Sequence, residues 1–353
     1  DWQHASVAAL KGGVTTVFDM PNTKPATTTQ ERLQNKFVII DGQLAEVDLP
    51  LRYKLFFGAD KNQFHEIVKV KADIAGIKVF MGASTGDLLM DDESSLHAVY
   101  ALAKAHGLLI ALHAEDELII RNNAAKYADQ TDFKYHSIIR EPQAAVKAVQ
   151  LVIELAELYQ VPSYILHVST QGELDLVKAA KARGVMVYIE TCPHYLFLDD
   201  SQYSNLNGRG KMNPPLRSKI DQDVLWQALN EGVIDTIGSD HAPHQLNEKE
   251  QPLCKCPSGV PGIETTLPLL ITAWRENKLS LAKLVALTHD NPQQIFNLPA
   301  NDDLVLVDIV NYRELNDAQM ASKCHWTPFV GMNLTGFPRY VFTQQRLIDC
   351  RSL

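Results

Sequence analysis

The sequence predicts an α/β chain built as a TIM-type (β/α)₈ barrel with a small β-sandwich appendage. Three observations lead there. Apolar, β-rich runs alternate with helix-spaced segments from the first residue to about 300. The runs are nearly continuous in apolar residues, as strands buried on both faces of a parallel sheet are. Functional-looking polar residues end one run after another instead of clustering at a single point, which favours a closed barrel over an open doubly wound sheet.

In chain order, DWQHASVAALKGG has helical spacing and stops at Gly12-Gly13, a good helix C-cap. VTTVFDM (14–20), LRYKLFFGA (51–59) and GIKVFMG (76–82) follow as strands. Residues 92–106 read as a helix with Asp92 or Ser94 as its N-cap and Gly107 as its stop, and LLIALHAE is the next strand. A long helix over 142–159 opens on Pro142, which the first helical turn allows. SYILHVS, a helix over 172–183, Gly184, the strand VMVYIETC, a helix over 219–231 and the strand VIDTIGSD complete the alternation. After 300 the texture changes to DLVLVDIV and short strand-like pieces through GFPRYVFTQQRLID. The expected division is a hydrolase barrel over 1–299 and part of a small β domain over 300–353. Seven strands are one fewer than a closed barrel needs, and a helix opens the sequence, so the expectation is a barrel lacking its first strand.

Composition narrows the function. The 353 residues are 46% hydrophobic and 21% charged, ordinary for a globular chain with a sizeable core. No apolar run reaches the ~18 residues of a membrane span, and no basic, apolar, small-residue leader opens the sequence. A net charge of −9 speaks against nucleic acid, which needs clustered Lys and Arg. Five cysteines without framework spacing favour a reducing cytoplasm. Cys254 and Cys256 stand too close together for a CxxC metal knuckle, and all five read as structural or incidental thiols.

Four strands carry the chemistry. Lys78 is read at the carboxyl end of the GIKVF strand, His113 ends LLIALH, His167 ends SYILH and Asp240 ends VIDTIGSD. Either histidine alone reads as a core imidazole; both, with Asp240, read as ligands of a metal such as Zn²⁺. Asp240 is also placed to move a proton from an attacking water to a leaving nitrogen. A free Lys78 ammonium beside cations would be repelled, whereas its CO₂ carbamate is an anionic ligand able to bridge two metals. Asn22 in DMPNT, Asn213 and Arg217 in NPPLR, and His244 four residues after Asp240 are candidates for polar contacts to a substrate. Segment 245–262, which ends in PSGVPG, reads as a flexible cover.

GGVTTVFDMPNT, GIKVFMGASTGDLLMDD, LHAED, LHVST, ETCPHYL, KMNPPLRS, GSDHAPH, PSGVPGIET and SKCHWTPFVGMNLTGFP together resemble the dihydroorotase family of cyclic amidohydrolases. The resemblance implies two zinc ions, with Lys78 as a carboxylated bridging lysine, His113 and His167 on the second metal, and Asp240 on the first metal and as acid/base. It further implies that Asn22, Asn213, His244 and backbone groups near Pro261 and Gly262 contact the substrate. The implied reaction is reversible conversion of N-carbamoyl-L-aspartate to dihydroorotate in pyrimidine biosynthesis. A small-molecule substrate and a cytoplasmic homodimer are expected, with no nucleic acid and no membrane.

Two departures qualify this expectation. The family's H-x-H-x-R signature on the first barrel strand is absent, since no H-x-H occurs in the sequence. IFNLPANDDLVLVD is also shorter than the family's usual link into its C-terminal strands. Three readings follow: an active dihydroorotase; an allantoinase- or hydantoinase-type enzyme on the same Lys, His, His, Asp framework; or a non-catalytic subunit with a broken first metal site, paired with a transcarbamoylase.

Overall fold

Seven strands begin where the alternation places them: β1 (Thr16–Asp19), β2 (Arg52–Gly58), β3 (Gly76–Phe80), β4 (Ile110–His113), β5 (Ser163–Ile165), β6 (Val187–Thr191) and β7 (Thr236–Ile237). The computed structural model describes residues 1–83 and 88–353, so the STGD stretch of the GIKVFMGASTGDLLMDD motif lies outside the described residues. The strands pair in chain order, each parallel to the next, in a curled sheet of the (β/α)₈ type. β1 and β7 form its two edges, and no eighth strand joins it among the described residues.

Local chemistry sets the helix ends. Trp2–Lys11 stops at Gly12, and Pro142–Tyr159 opens on Pro142. In Glu93–His106 the Asp92 carboxylate accepts from the Ser95 N–H, and Gly107 closes the helix at φ 64°, a left-handed conformation that glycine adopts without strain. The helix Gln30–Val47 was not expected. Only Leu33 and Ile40 in it are fully buried and Val38 and Ile39 lie exposed, so its sequence lacks a strong apolar stripe.

Side chains alternate between the two faces of the sheet. Leu55, Phe57, Ile77, Val79, Ile110, Leu112, Ile165 and Ile189 belong to the main core, with helix residues such as Val149, Val152 and Leu225. The other face holds Phe18, Phe56, Ala111, Tyr164 and Tyr188. Phe296, just past the helix Asn291–Ile295, plugs this interior, with ring centroids 4.5 Å from Phe18 and 5.0 Å from Tyr164. The amino-terminal half of the interior is therefore a packed aromatic layer, and polar side chains gather beyond it toward the carboxyl ends.

The C-terminal segment forms β8 (Leu304–Asp308), β9 (Arg313–Glu314), β10 (Asn333–Leu334), β11 (Phe337–Thr343) and β12 (Arg346–Asp349). β12, β11 and β8 make an antiparallel sheet, and Val341 and Cys350 cluster with Leu10 of the first helix. Residues between β9 and β10 behave differently: Met320, Cys324, Trp326 and Phe329 join the main core. Among the described residues, no helix is long and apolar enough to cross a membrane.

Candidate active site

Lys78 is not at the strand end as expected but is the third of five residues in β3, in register with Gly58 and Ala111, because Val79 and Phe80 continue the pairing with β4. That parity turns it into the interior, where it is 2% exposed. Its Nζ donates to Val79 O at 3.1 Å and lies 4.0 Å from the Phe80 ring centroid. Burial drives its pKa well below the ordinary lysine range, against the nearby Asp240 and Glu190 carboxylates. A neutral amine is the form that can take up CO₂.

His113 ends β4 and His167 follows β5 by two residues. His113 Nδ1 and His167 Nε2 converge to 3.0 Å, both rings buried. Burial lowers both imidazole pKa values, and each ring meets further positive charge: Arg140 and Lys78 near His113, His113 and Lys78 near His167. Two converging imidazole nitrogens kept neutral are a metal-ligand arrangement. His167 Nδ1 is buried with no hydrogen-bond partner.

Behind His113 stands an ion network that the sequence reading did not assign. Glu115, 0% exposed, lies with Oε2 3.1 Å from His113 Nε2. Arg140 donates to the same oxygen through Nε at 3.0 Å and through Nη2, which is also 3.3 Å from His113 Nε2. Burial alone would raise the Glu115 carboxyl, but Arg140 and then His113 outweigh it and hold the pKa well below the ordinary range. Arg217 Nη2 lies 3.8 Å from Glu115 Oε1, and its Nε donates to Ser169 Oγ at 3.2 Å. Arg217 is thus buried behind the site, not presented to a substrate. The LHAED motif contained this signal: a carboxylate two residues past a strand-end histidine.

Asp240 follows β7 by three residues, and Glu190 lies on β6 facing the same interior. Burial, then Glu190, pushes the Asp240 carboxyl up to about 8, while Lys78 opposes the shift. Burial pushes Glu190 up to about 7, although Tyr164 donates to its Oε2 at 2.9 Å. His167 and Asp240 both hold left-handed backbone, at φ 44° and 42°. Non-glycine residues rarely adopt it, and such strain gathers where a side chain must be aimed.

The residues expected to contact substrate have the following surroundings. Asn22 is partly exposed, three residues beyond β1. Asn213 precedes Pro214 in the NPPLR loop, with a buried Oδ1 that has no partner. His244 Nε2 lies 3.2 Å from Ser258 O, so its imidazole is tied to the 245–262 segment. Pro261 and Gly262 are buried, and the backbone of Gly262 is committed within the chain: its N–H donates to His241 Nδ1 at 3.2 Å and its carbonyl accepts from Thr265 and Thr266. The 245–262 segment is anchored. Buried Lys249 donates to the carbonyls of Lys211, Pro257 and Gly259 at 2.8–2.9 Å, and Lys211 donates to Leu253 O at 2.9 Å. Such clamping opposes the loose cover that its Pro/Gly-rich sequence suggested.

The Amidohydrolase family profile matches residues 2–301, which include every one of these side chains. The chain belongs to the amidohydrolase family. It is 32% identical to a dihydroorotase of Methanosarcina acetivorans, over 99% of this chain and 77% of that protein. It is 33% identical to multifunctional protein CAD of Squalus acanthias, over 97% of this chain and 14% of that protein. In three dimensions it resembles an L-hydantoinase (dihydropyrimidinase) of Arthrobacter aurescens, with a TM-score of 0.91, 28% identity, and coverage of 99% of this chain and 80% of that one. Family membership implies a metal-dependent enzyme, and the buried, converging nitrogens of His113 and His167 fit a divalent cation.

Proposed function

We propose that this amidohydrolase is a dihydroorotase, interconverting N-carbamoyl-L-aspartate and dihydroorotate. The observation that carries the reading is whole-chain identity of 32–33% to dihydroorotases over 99% of the sequence, coupled to a strand-end site that fits cyclic-amide hydrolysis. The hydantoinase likeness is strong in shape but rests on 28% identity or less. It supports a hydantoin-type ring as the second reading.

In this reading His113 through Nδ1, His167 through Nε2, Lys78 as its carbamate and Asp240 would hold the zinc. Bound zinc supplies Lewis acidity at the ring amide carbonyl and makes water nucleophilic near neutral pH. The chain's residues do the rest. Asp240 accepts the proton of the attacking water and delivers it to the ring nitrogen as the C–N bond breaks. Glu115 accepts the Nε2–H of His113, which fixes the tautomer that leaves Nδ1 free as a ligand. Asn22, Asn213 and His244 bind the substrate's ring and carboxylate, and the buried Pro261–Gly262 turn shapes the mouth beside them. The barrel unit of this reading spans 1–299 and the β unit 300–353.

The test is turnover of dihydroorotate, hydantoin and allantoin by the purified chain supplied with zinc and bicarbonate. Dihydroorotate consumed far faster than the other rings is the expected result. Faster hydantoin turnover would move the assignment to the second reading, and no turnover of any ring would favour a non-catalytic protein.

A further inference from the structure

The carboxyl ends of β6 and β7 bring Asp240 together with two further metal-binding groups that the reaction above does not use. β6 ends at Thr191, whose carbonyl accepts from the Gly238 N–H at 3.0 Å, so the two strand exits run side by side. Cys192 comes next on the β6 exit, and Pro193 then opens the short helix Pro193–Phe197, with His194 in its first turn. On the β7 exit the left-handed backbone of Asp240 turns its carboxylate toward them. One thiol sulfur, one imidazole nitrogen and one carboxylate oxygen all lie within 4.8 Å of one another.

Two further facts point to a ligand. Cys192 and His194 are 0% and 1% exposed, and His194 Nε2 has no hydrogen-bond partner. A buried imidazole nitrogen without a partner is costly unless something binds it or its neighbour. Asp240 is only partly buried, which leaves an approach from the mouth. The donor chemistry selects among ions: a thiol with an imidazole suits zinc-class cations, whereas magnesium and calcium prefer oxygen alone. Three protein donors around an ion that favours four leave one position open.

We infer that Cys192, His194 and Asp240 form a three-donor site for a zinc-class divalent cation on the β6–β7 side of the mouth, apart from the His113–His167 pair. The inference goes beyond the proposed reaction. It needs Asp240 where the fold puts it, but neither carboxylation of Lys78 nor dihydroorotate as substrate.

Cobalt(II) is the spectroscopic probe. Titrated into the full chain, it should give a thiolate-to-cobalt charge-transfer band in the near ultraviolet. That band should vanish in Cys192→Ser and persist both in Cys254→Ser, which removes the exposed thiol, and in His113→Ala, which removes the other pair. X-ray absorption of the zinc-loaded wild-type protein needs no variant and should show a sulfur neighbour at about 2.3 Å. A shell of nitrogen and oxygen alone, a band that survives Cys192→Ser, or one that disappears in Cys254→Ser would overturn the inference. Failure of the proposed reaction reads differently, as a sulfur signal intact in a protein that turns over no ring.

Discussion

The two sides of the barrel mouth are built by different means. On the β3–β5 side every strand residue is buried, each strand is paired on both edges, and His113 is braced from behind by Glu115, Arg140 and Arg217. On the β7–β1 side the strands are sheet edges. All four residues of β1 are partly exposed, and β7 is two residues long. Asp240 and its neighbours are fixed there by loop contacts: the His241–Val260 bridge, the Gly262 and Ile263 amides on His241 Nδ1, and the Lys249 clamp. One side places its donors by sheet register. The other places Asp240 by side chains that hold loops.

The largest effect should come where the second side meets the chemistry. Asp240→Asn keeps the shape but removes the proton acceptor, so turnover should fall by ~10²–10⁴ with zinc content nearly unchanged at the His113–His167 pair. Steady-state kinetics beside metal analysis checks this, and near-normal turnover would remove Asp240 from its role. On the braced side, Glu115→Gln should weaken zinc binding by roughly 10–100-fold, read by competition with a chelator. Unchanged affinity would show that register alone places His113.

The loop clamp is tested by Lys249→Met, which removes the ammonium that three carbonyls share, that of Gly259 buried. A loss of about 1–3 kcal/mol in denaturant unfolding is expected, together with faster proteolysis within 245–262. Buried His136, whose Nε2 lies 2.8 Å from Met212 O, makes the braced side sensitive to acid. Burial lowers its pKa to about 3 in the folded chain, against about 6.5 when unfolded. Between those values the unfolded chain binds the extra proton, so stability is complete above pH ~6.5 and declines as pH falls toward 3, by up to ~1.4 kcal/mol per unit. In chelator-treated protein His136→Gln should flatten that slope between pH 6 and 4; an unchanged slope would place the acid sensitivity elsewhere. The smallest effect is dynamic. Amides of β1 should exchange with solvent faster than those of β4, and equal protection would mean the edge is as firm as the centre.

Much of this was legible in the residues. All seven barrel strands, and the helices bounded by Gly12, Asp92, Gly107 and Pro142, follow from apolar periodicity and capping chemistry, which act over a few neighbouring residues. The positions of His113, His167 and Asp240 at or just past strand ends were legible because a parallel barrel presents its carboxyl strand ends on one side, whereas Lys78, read as a strand end, lies in the middle of β3. The helix Gln30–Val47 was not, because a helix with so little buried surface leaves no apolar stripe to read. Arg217 was read as a loop residue facing substrate, because burial behind Glu115 depends on a partner about 100 positions away in the chain.

By itself, then, the sequence determined the alternating α/β order, the polar residues that strand ends would present, and the resemblance to cyclic amidohydrolases, all of which rest on local spacing. Only the tertiary structure decided which atoms converge. It set His113 Nδ1 against His167 Nε2, put Glu115 and Arg140 behind them, tied down the 245–262 segment through Lys249, and drew Cys192 and His194 toward Asp240. The physical reason is that convergence depends on the register and curl of the whole sheet, which no stretch of neighbouring residues specifies.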